Sequence, residues 1–249
     1  MPMEIVNELD TEALHQQYVD TGYVIIKDLL RPEVAEAAYD SLSQSVPWEF
    51  HYRVMKEGRV GIIDPHNYDS LTPKEKQRLV PKIAELKDND FSFAYCRYTI
   101  PARLEEVPEN ARILTEIYRY FNSPEYLGLM AAITGDDSGR EVSCWASRYD
   151  RHHHLSVHMD ESPGQGRIAA HVLGLSKNWK KEWEGNFAFC NSKGKPVHKV
   201  TPRFNTLVMF KVPRLHLVTQ VKPYAGASRY SLFGWYKSKQ EYFLDSQAA

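Results

Sequence analysis

Cysteine is scarce in this chain: there are three among 249 residues, and Cys96, Cys144 and Cys190 form no C-x-x-C pair. An odd, unpatterned set gives no disulfide framework, and it predicts three buried, reduced thiols in a cytoplasmic protein. Long apolar runs are missing too. No stretch approaches the roughly eighteen apolar residues of a membrane span. The opening MPMEIVNELDTEALHQQY lacks the basic start and apolar core of a secretory signal. Neither sign of charge is in excess: 31 Lys and Arg stand against 32 Asp and Glu, a formal net charge of -1. That balance argues against a nucleic-acid groove. Internal repeats, low-complexity segments and a Gly/Ser-rich linker are likewise absent. One domain over 1–249 is therefore expected, long enough to bury its own core. The 15 tyrosines suit either a β-rich core or an aromatic pocket.

The chain reads in two parts. Over 1–140 helix and strand mix. Asp10-Thr11 opens a helix that Thr21-Gly22 breaks, and a short apolar strand, Tyr23 to Ile26, follows. Arg31-Pro32 starts a second helix through Glu33 to about Ser45, with proline in the first turn. Trp48 to Tyr52 reads as a substrate lid or a core anchor. Lys56 to Lys87 is largely polar, with a helix expected on Lys74 to Arg78. Phe91 to Tyr98 alternates as a strand, and Pro108 to Ile133 has helical periodicity divided at Pro124. Over 141–238 short strands take over, expected near 142–149, 154–160, 167–175, 185–190, 205–211, 215–221 and 228–236. Strands at that spacing predict a β-sandwich or jelly roll buttressed by the N-terminal helices.

One constellation carries chemistry. His158 and Asp160 are two apart, so on a strand both point the same way while Met159 faces out. With a second histidine, His216, they make two imidazoles and a carboxylate, a set that holds ferrous iron and leaves positions open. Arg229 offers a fixed guanidinium fork for a carboxylate, and Ser231, Phe233 and Trp235 share its strand face.

These residues resemble a known family. The run His158-Met159-Asp160, the strand led by Arg167 and the turn at Asn178-Trp179 are similar to iron(II)- and 2-oxoglutarate-dependent oxygenases of the prolyl 4-hydroxylase type. So are Asn205 to Phe210, His216 to Val221 and Arg229 to Trp235. The resemblance spans about 142–237. It implies a double-stranded β-helix and three iron ligands in His158, Asp160 and His216. Fe(II), 2-oxoglutarate and O₂ are the implied cofactor and cosubstrates, with Arg229 on the distal carboxylate, Ser231 assisting and Trp235 towards substrate. The implied chemistry decarboxylates 2-oxoglutarate to succinate and oxidises an unactivated C–H; since Asp160 is present, hydroxylation is expected rather than halogenation. Two departures stand out. Asn186 replaces the second glycine of a Gly-Gly pair, and Gly174 stands where related enzymes carry a tyrosine that helps hold the cosubstrate. Tyr149 is the expected replacement hydroxyl.

The other histidines have plainer readings. His152 to His154 are loop or strand-edge residues, His171 a satisfied core histidine, and His198 an edge residue that rivals His216 less well. Arg167, Tyr95 and Arg97 are expected either to line the substrate side of the pocket or to serve as structural strand residues. The expected substrate is a small amino-acid-like or specialised metabolite, with no nucleic-acid or membrane partner. A prolyl residue in a protein is the alternative, and a non-catalytic jelly-roll sensor or binding module is the alternative from another class.

Overall fold

The computed structural model describes residues 9–54, 59–63, 68, 70–72, 74–76, 91–160 and 164–239. Period-two alternation builds most of it. In β8 (Arg167–Leu175), Ala169, Leu173 and Leu175 join the main core under the helices, while Ala170 and Val172 turn to a second apolar cluster inside the barrel. β11 (Phe204–Lys211) repeats the pattern, with Leu207 and Met209 on one side and Val208 and Phe210 on the other.

The remaining strands are β1 (Tyr23–Lys27), β2 (Glu49–Val54), β3 (Arg59–Ile63), β4 (Phe93–Thr99), β5 (Glu141–Val142), β6 (Trp145–Tyr149), β7 (His154–His158), β9 (Phe187–Cys190), β10 (Pro196–Val200), β12 (His216–Val218) and β13 (Arg229–Lys237). They pair antiparallel in the order β1-β11-β8-β13-β6-β4-β7-β12-β9-β10, with β2 joining β3 to β4 and β5 beside β13. β6 and β7 lie end to end along β4: Trp145 pairs with Thr99 and Leu155 with Phe93. On its other side β6 pairs with β13, whereas β7 pairs with β12. The strand line thus passes from one sheet to the facing one, and the fold is the expected double-stranded β-helix.

Helices cover one face. α1 (Thr11–Thr21) is capped by the Asp10 carboxylate accepting from the Ala13 N–H at 2.9 Å and ends at Gly22 with φ 75°. α2 (Pro32–Gln44) begins at its proline. α3 (Arg112–Phe121) and α4 (Pro124–Thr134) are separated at the expected proline, with Ser123 capping the second. The segment between β1 and α2 is tied to the sheet by buried Asn205, at φ 49°. Its side chain accepts from the Leu30 N–H at 3.0 Å and donates to the Leu30 carbonyl at 2.6 Å.

Several features differ from expectation. The stretch Trp48 to Tyr52 is partly a core anchor, Trp48 being buried and donating to the Leu42 carbonyl at 3.2 Å. From Glu49 on it is also a strand, pairing with β3 and β4. β10 is an exposed strand at the edge where His198 was expected, and it adds to the strands expected from the sequence. Of the predicted helix on Lys74 to Arg78, 74–76 are helical and the rest lies outside the described residues, as does much of Lys56 to Lys87. Cys96 and Cys144 are buried free thiols, but Cys190 is only partly buried. No helix among the described residues is long and apolar enough to cross a membrane.

Two predictions follow from the core. Asn205→Ala strands both Leu30 backbone groups and puts alanine at positive φ, so the urea midpoint should fall by an equivalent of about 3 kcal/mol. Burial pulls His153 and His171 each down to about 4. Unfolded histidine titrates near ~6.5, so the unfolded chain takes up these protons first as pH falls. Stability should be full above about pH 6.5 and drop towards about pH 4, and His171→Gln should flatten that slope in urea titrations.

Candidate functional site

β7 and β12 bring the two histidines together. His216 lies directly opposite His158 in the register, and their ring centroids are 4.1 Å apart. Asp160, just past the end of β7, returns to the same side: its Oδ1 is 3.6 Å from His158 Nε2 and its Oδ2 3.4 Å from His216 Nε2. Met159 between them points outward and is 49% exposed. The other ring nitrogens are committed. His158 Nδ1 is 2.9 Å from the Ser156 carbonyl and His216 Nδ1 2.8 Å from the Arg214 carbonyl. A carbonyl only accepts, so each Nδ1 carries the proton and each Nε2 presents its lone pair to the shared space. Burial, reinforced by the His158 ring, pulls His216 down to about 4 against the opposing pull of Asp160. It is neutral, as a metal ligand must be. One nitrogen from each ring and one carboxylate oxygen all fall within 4.8 Å of one another, so the donor set fits a divalent iron.

Beneath this trio lies a cavity of about 170 Å³. Arg229 opens β13 on its wall, opposite Tyr149 in the register, with its guanidinium carbon 4.9 Å from the Tyr149 ring centroid. Arg229 is 5% exposed, its Nε has no hydrogen-bond partner, and no carboxylate among the described residues lies within ion-pair distance. Burial pulls its pKa below the usual guanidinium value, with Tyr149 opposing. A buried charge without a counter-ion costs several kcal/mol. Such a group fits an anionic ligand, and a diacid reaching from the trio to Arg229 supplies one.

The neighbouring positions are now defined. Ser231 follows Arg229 along the wall, and its hydroxyl is 2.8 Å from that of Ser147. Ser147 was not singled out in the sequence; only its register with Ser231 reveals it. Tyr149 stacks on Tyr95 at 5.2 Å, and both line the cavity with burial raising their phenol pKa values. At Gly174, opposite Ser231, an added Cβ would sit 2.5 Å from the Arg203 carbonyl oxygen, so the backbone itself leaves no room for a tyrosine. Trp235 lines the cavity, and Arg167 lies over its ring at 3.7 Å while donating to the Asp160 carbonyl at 2.7 Å. Arg167 therefore braces the backbone of the carboxylate residue. Arg97 shares the wall's face but stands beside Trp145, 5.5 Å from its ring centroid.

None of the other histidines among the described residues joins the trio. His153 packs on Phe50, His154 lies 3.2 Å from the Ser92 hydroxyl, and His198 sits by Tyr23 on the outer edge. His171 faces the helices, its Nε2 donating to the Ser143 carbonyl at 3.0 Å. Cys96, Asp150 and His153 also cluster, on the other side of β6. Arg148 stands among them, 3.1 Å from the Asp150 carboxylate and 3.5 Å from the Cys96 sulfur, and burial pushes the thiol up to about 12. A cation already fills that role, and a protonated thiol is a poor metal ligand.

Comparison with known proteins bears on this arrangement. Residues 144–237 match the family model of the 2OG-Fe(II) oxygenase superfamily. Among solved structures, a Pseudomonas putida prolyl-4-hydroxylase is similar at 16% identity, covering 92% of this chain and 99% of that one with a TM-score of 0.56. A Trichoplax adhaerens prolyl hydroxylase, in complex with a hypoxia inducible factor oxygen degradation domain peptide fragment, is similar at 16% identity, 92% and 89% coverage and a TM-score of 0.59. A Burkholderia pseudomallei oxidoreductase of the 2OG-Fe(II) oxygenase family is similar at 15% identity, 94% and 92% coverage and a TM-score of 0.56. No curated protein sequence matches the chain. At these identities the structures share the fold, and the family match covers both histidines, Asp160 and Arg229. The non-catalytic module is accordingly set aside. The match over 144–237, together with the ligand trio, supports a 2-oxoglutarate-dependent non-haem iron dioxygenase that uses Fe(II), 2-oxoglutarate and O₂.

Proposed function

We propose that this dioxygenase, one catalytic domain over 1–249, hydroxylates an unactivated aliphatic C–H of a small amino-acid-like or specialised metabolite. In this reading His158, Asp160 and His216 hold the iron, and Arg229, Ser231 and Tyr149 hold 2-oxoglutarate. The observation that carries it is the pairing of a free-facing ligand trio with a buried, uncompensated Arg229 along one small cavity. When bound, iron would let O₂ act as the oxidant: 2-oxoglutarate would give two electrons and one oxygen atom would enter succinate as CO₂ leaves, with the other oxygen going to the substrate C–H.

The chain's own residues orient and enclose. The Ser156 and Arg214 carbonyls fix both imidazoles in one tautomer, so that Nε2 of each faces the metal position. Arg167 anchors the Asp160 backbone. The Arg229 fork sets how deep the diacid sits, and the Ser147–Ser231 hydroxyl pair offers a further donor beside it. Phe91, Phe93, Leu155 and Phe187 line the cavity and keep water from its floor. A protein prolyl residue is the second reading, favoured by the prolyl hydroxylases among the similar structures, one of them holding a peptide.

Succinate release from 2-oxoglutarate separates the two. Stimulation by a small-molecule cell extract and not by desalted protein is the expected result; the reverse selects the prolyl reading. Asp160→Ala should lower release at least a hundredfold and abolish the visible charge-transfer band formed when Fe(II) and 2-oxoglutarate are added without oxygen. Arg229→Gln should raise the KM for 2-oxoglutarate about a hundredfold, the scale of a lost charge-assisted pair. Arg229→Met should also raise the Tm of the cosubstrate-free protein, because it removes a buried charge that nothing neutralises.

A further inference from the structure

The sheet face that lines the cavity carries, beyond the cavity itself, more donors than 2-oxoglutarate accounts for. On β4, Arg97 lies opposite Ser147, and Ser147 lies opposite Ser231, so alternation turns all three to the cavity face. The Arg97 guanidinium stands over Trp145. The Trp145 ring meets Trp235 edge-on at 5.5 Å, Trp235 lies under Arg167, and Arg167 holds the Asp160 carbonyl. A continuous row of cations and aromatic rings thus leads from Arg97 to the ligand trio.

Arg167 is engaged in that row, but Arg97 is not neutralised. Its Nε is shielded from solvent without a hydrogen-bond partner, and no carboxylate among the described residues comes within ion-pair distance. Glu49, directly across from it on β2, turns instead to His51 Nε2 at 2.9 Å. The Trp235 indole N–H is also buried without an acceptor among the described residues. Donors shielded from water and left unpaired carry a desolvation cost that a bound acceptor would relieve. A guanidinium held over an indole offers its donors as a fork for a carboxylate or phosphate.

Resting on the dioxygenase reading, we infer that the substrate is an anion whose carboxylate or phosphate is bound by Arg97 over Trp145. Trp235 donates a second hydrogen bond, and the aliphatic part of the substrate lies towards His158, Asp160 and His216. This assigns Arg97 as the specificity-determining residue and selects free acids over internal peptide residues, which carry no such charge.

The test uses the full-length protein with Fe(II), 2-oxoglutarate and O₂, and a small-molecule cell extract in three forms: untreated, methyl-esterified with acidic methanol, and phosphatase-treated. Untreated extract should stimulate succinate release. Loss of stimulation on esterification assigns a carboxylate, and loss on phosphatase treatment assigns a phosphate. Arg97→Gln should raise the half-saturating amount of extract at least tenfold, with part recovered in Arg97→Lys, while the KM for 2-oxoglutarate stays within threefold. The extract should also quench tryptophan fluorescence without oxygen in the wild type and far less in Arg97→Gln. Stimulation that survives both treatments, that comes only from desalted protein or from no fraction, or that Arg97→Gln leaves unchanged overturns the inference. Failure of the wild type to form the charge-transfer band would remove the dioxygenase reading and this inference with it.

Discussion

The hydrogen bonding of one strand, β4, to two successive strands is the constraint on which the active cavity depends. Because β6 and β7 both pair with β4, the chain between Trp145 and His158 leaves one sheet and enters the other without losing its backbone partner. That passage closes the barrel on one side. It also fixes Tyr149 opposite Arg229 in one sheet and His158 opposite His216 in the other. A slip of one residue would turn every cavity-facing side chain on this line outward. The metal end and the cosubstrate end of the cavity are therefore set by a single register.

The electrostatics of the cavity are one-sided. Arg229 Nε, Arg97 Nε and the Trp235 indole offer donors with no acceptor among the described residues, whereas Asp160, the acidic member of the trio, faces a metal position. Folding carries the cost of these groups, and the core beneath the helices offsets it. Proteins commonly accept such local instability where ligands bind. The contrast with the far side of β6 is instructive. There Arg148, Asp150 and the Ser228 hydroxyl satisfy one another, with Ser228 donating to the carboxylate at 2.6 Å. Partnered charge there holds structure together; unpartnered charge in the cavity awaits a ligand.

Much of this was legible in the residues alone. The spacing of His158 and Asp160, the helix boundaries at Asp10, Gly22, Pro32 and Pro124, and the alternation of β8, β11 and β13 each reflect local geometry that sequence period reports directly. What escaped is tertiary. Glu49 to Val54 alternates too weakly to separate a strand from a lid until β4 lies beside it. β10 is short, charged and exposed, and only its pairing with β9 makes it a strand. Ser147 is an ordinary strand serine until the register sets it against Ser231. The isolation of Arg97 and Arg229 could not be read at all, since lacking a partner is a property of the folded surroundings.

The close approach of Arg203 to Gly174 bears on how this site can change. A side chain at position 174 collides with backbone, and backbone does not yield as a flexible side chain does. The step from glycine to the tyrosine of related enzymes is thus closed to any single substitution here. It would need the irregular start of β11 at 203–205 to move first, and that stretch carries Asn205, which clamps the N-terminal segment to the sheet. The space at position 174 and N-terminal anchoring are in this way coupled through one short stretch of backbone, so room on this wall can be altered at Tyr149 and Ser147 on β6 more readily than at Gly174 on β8.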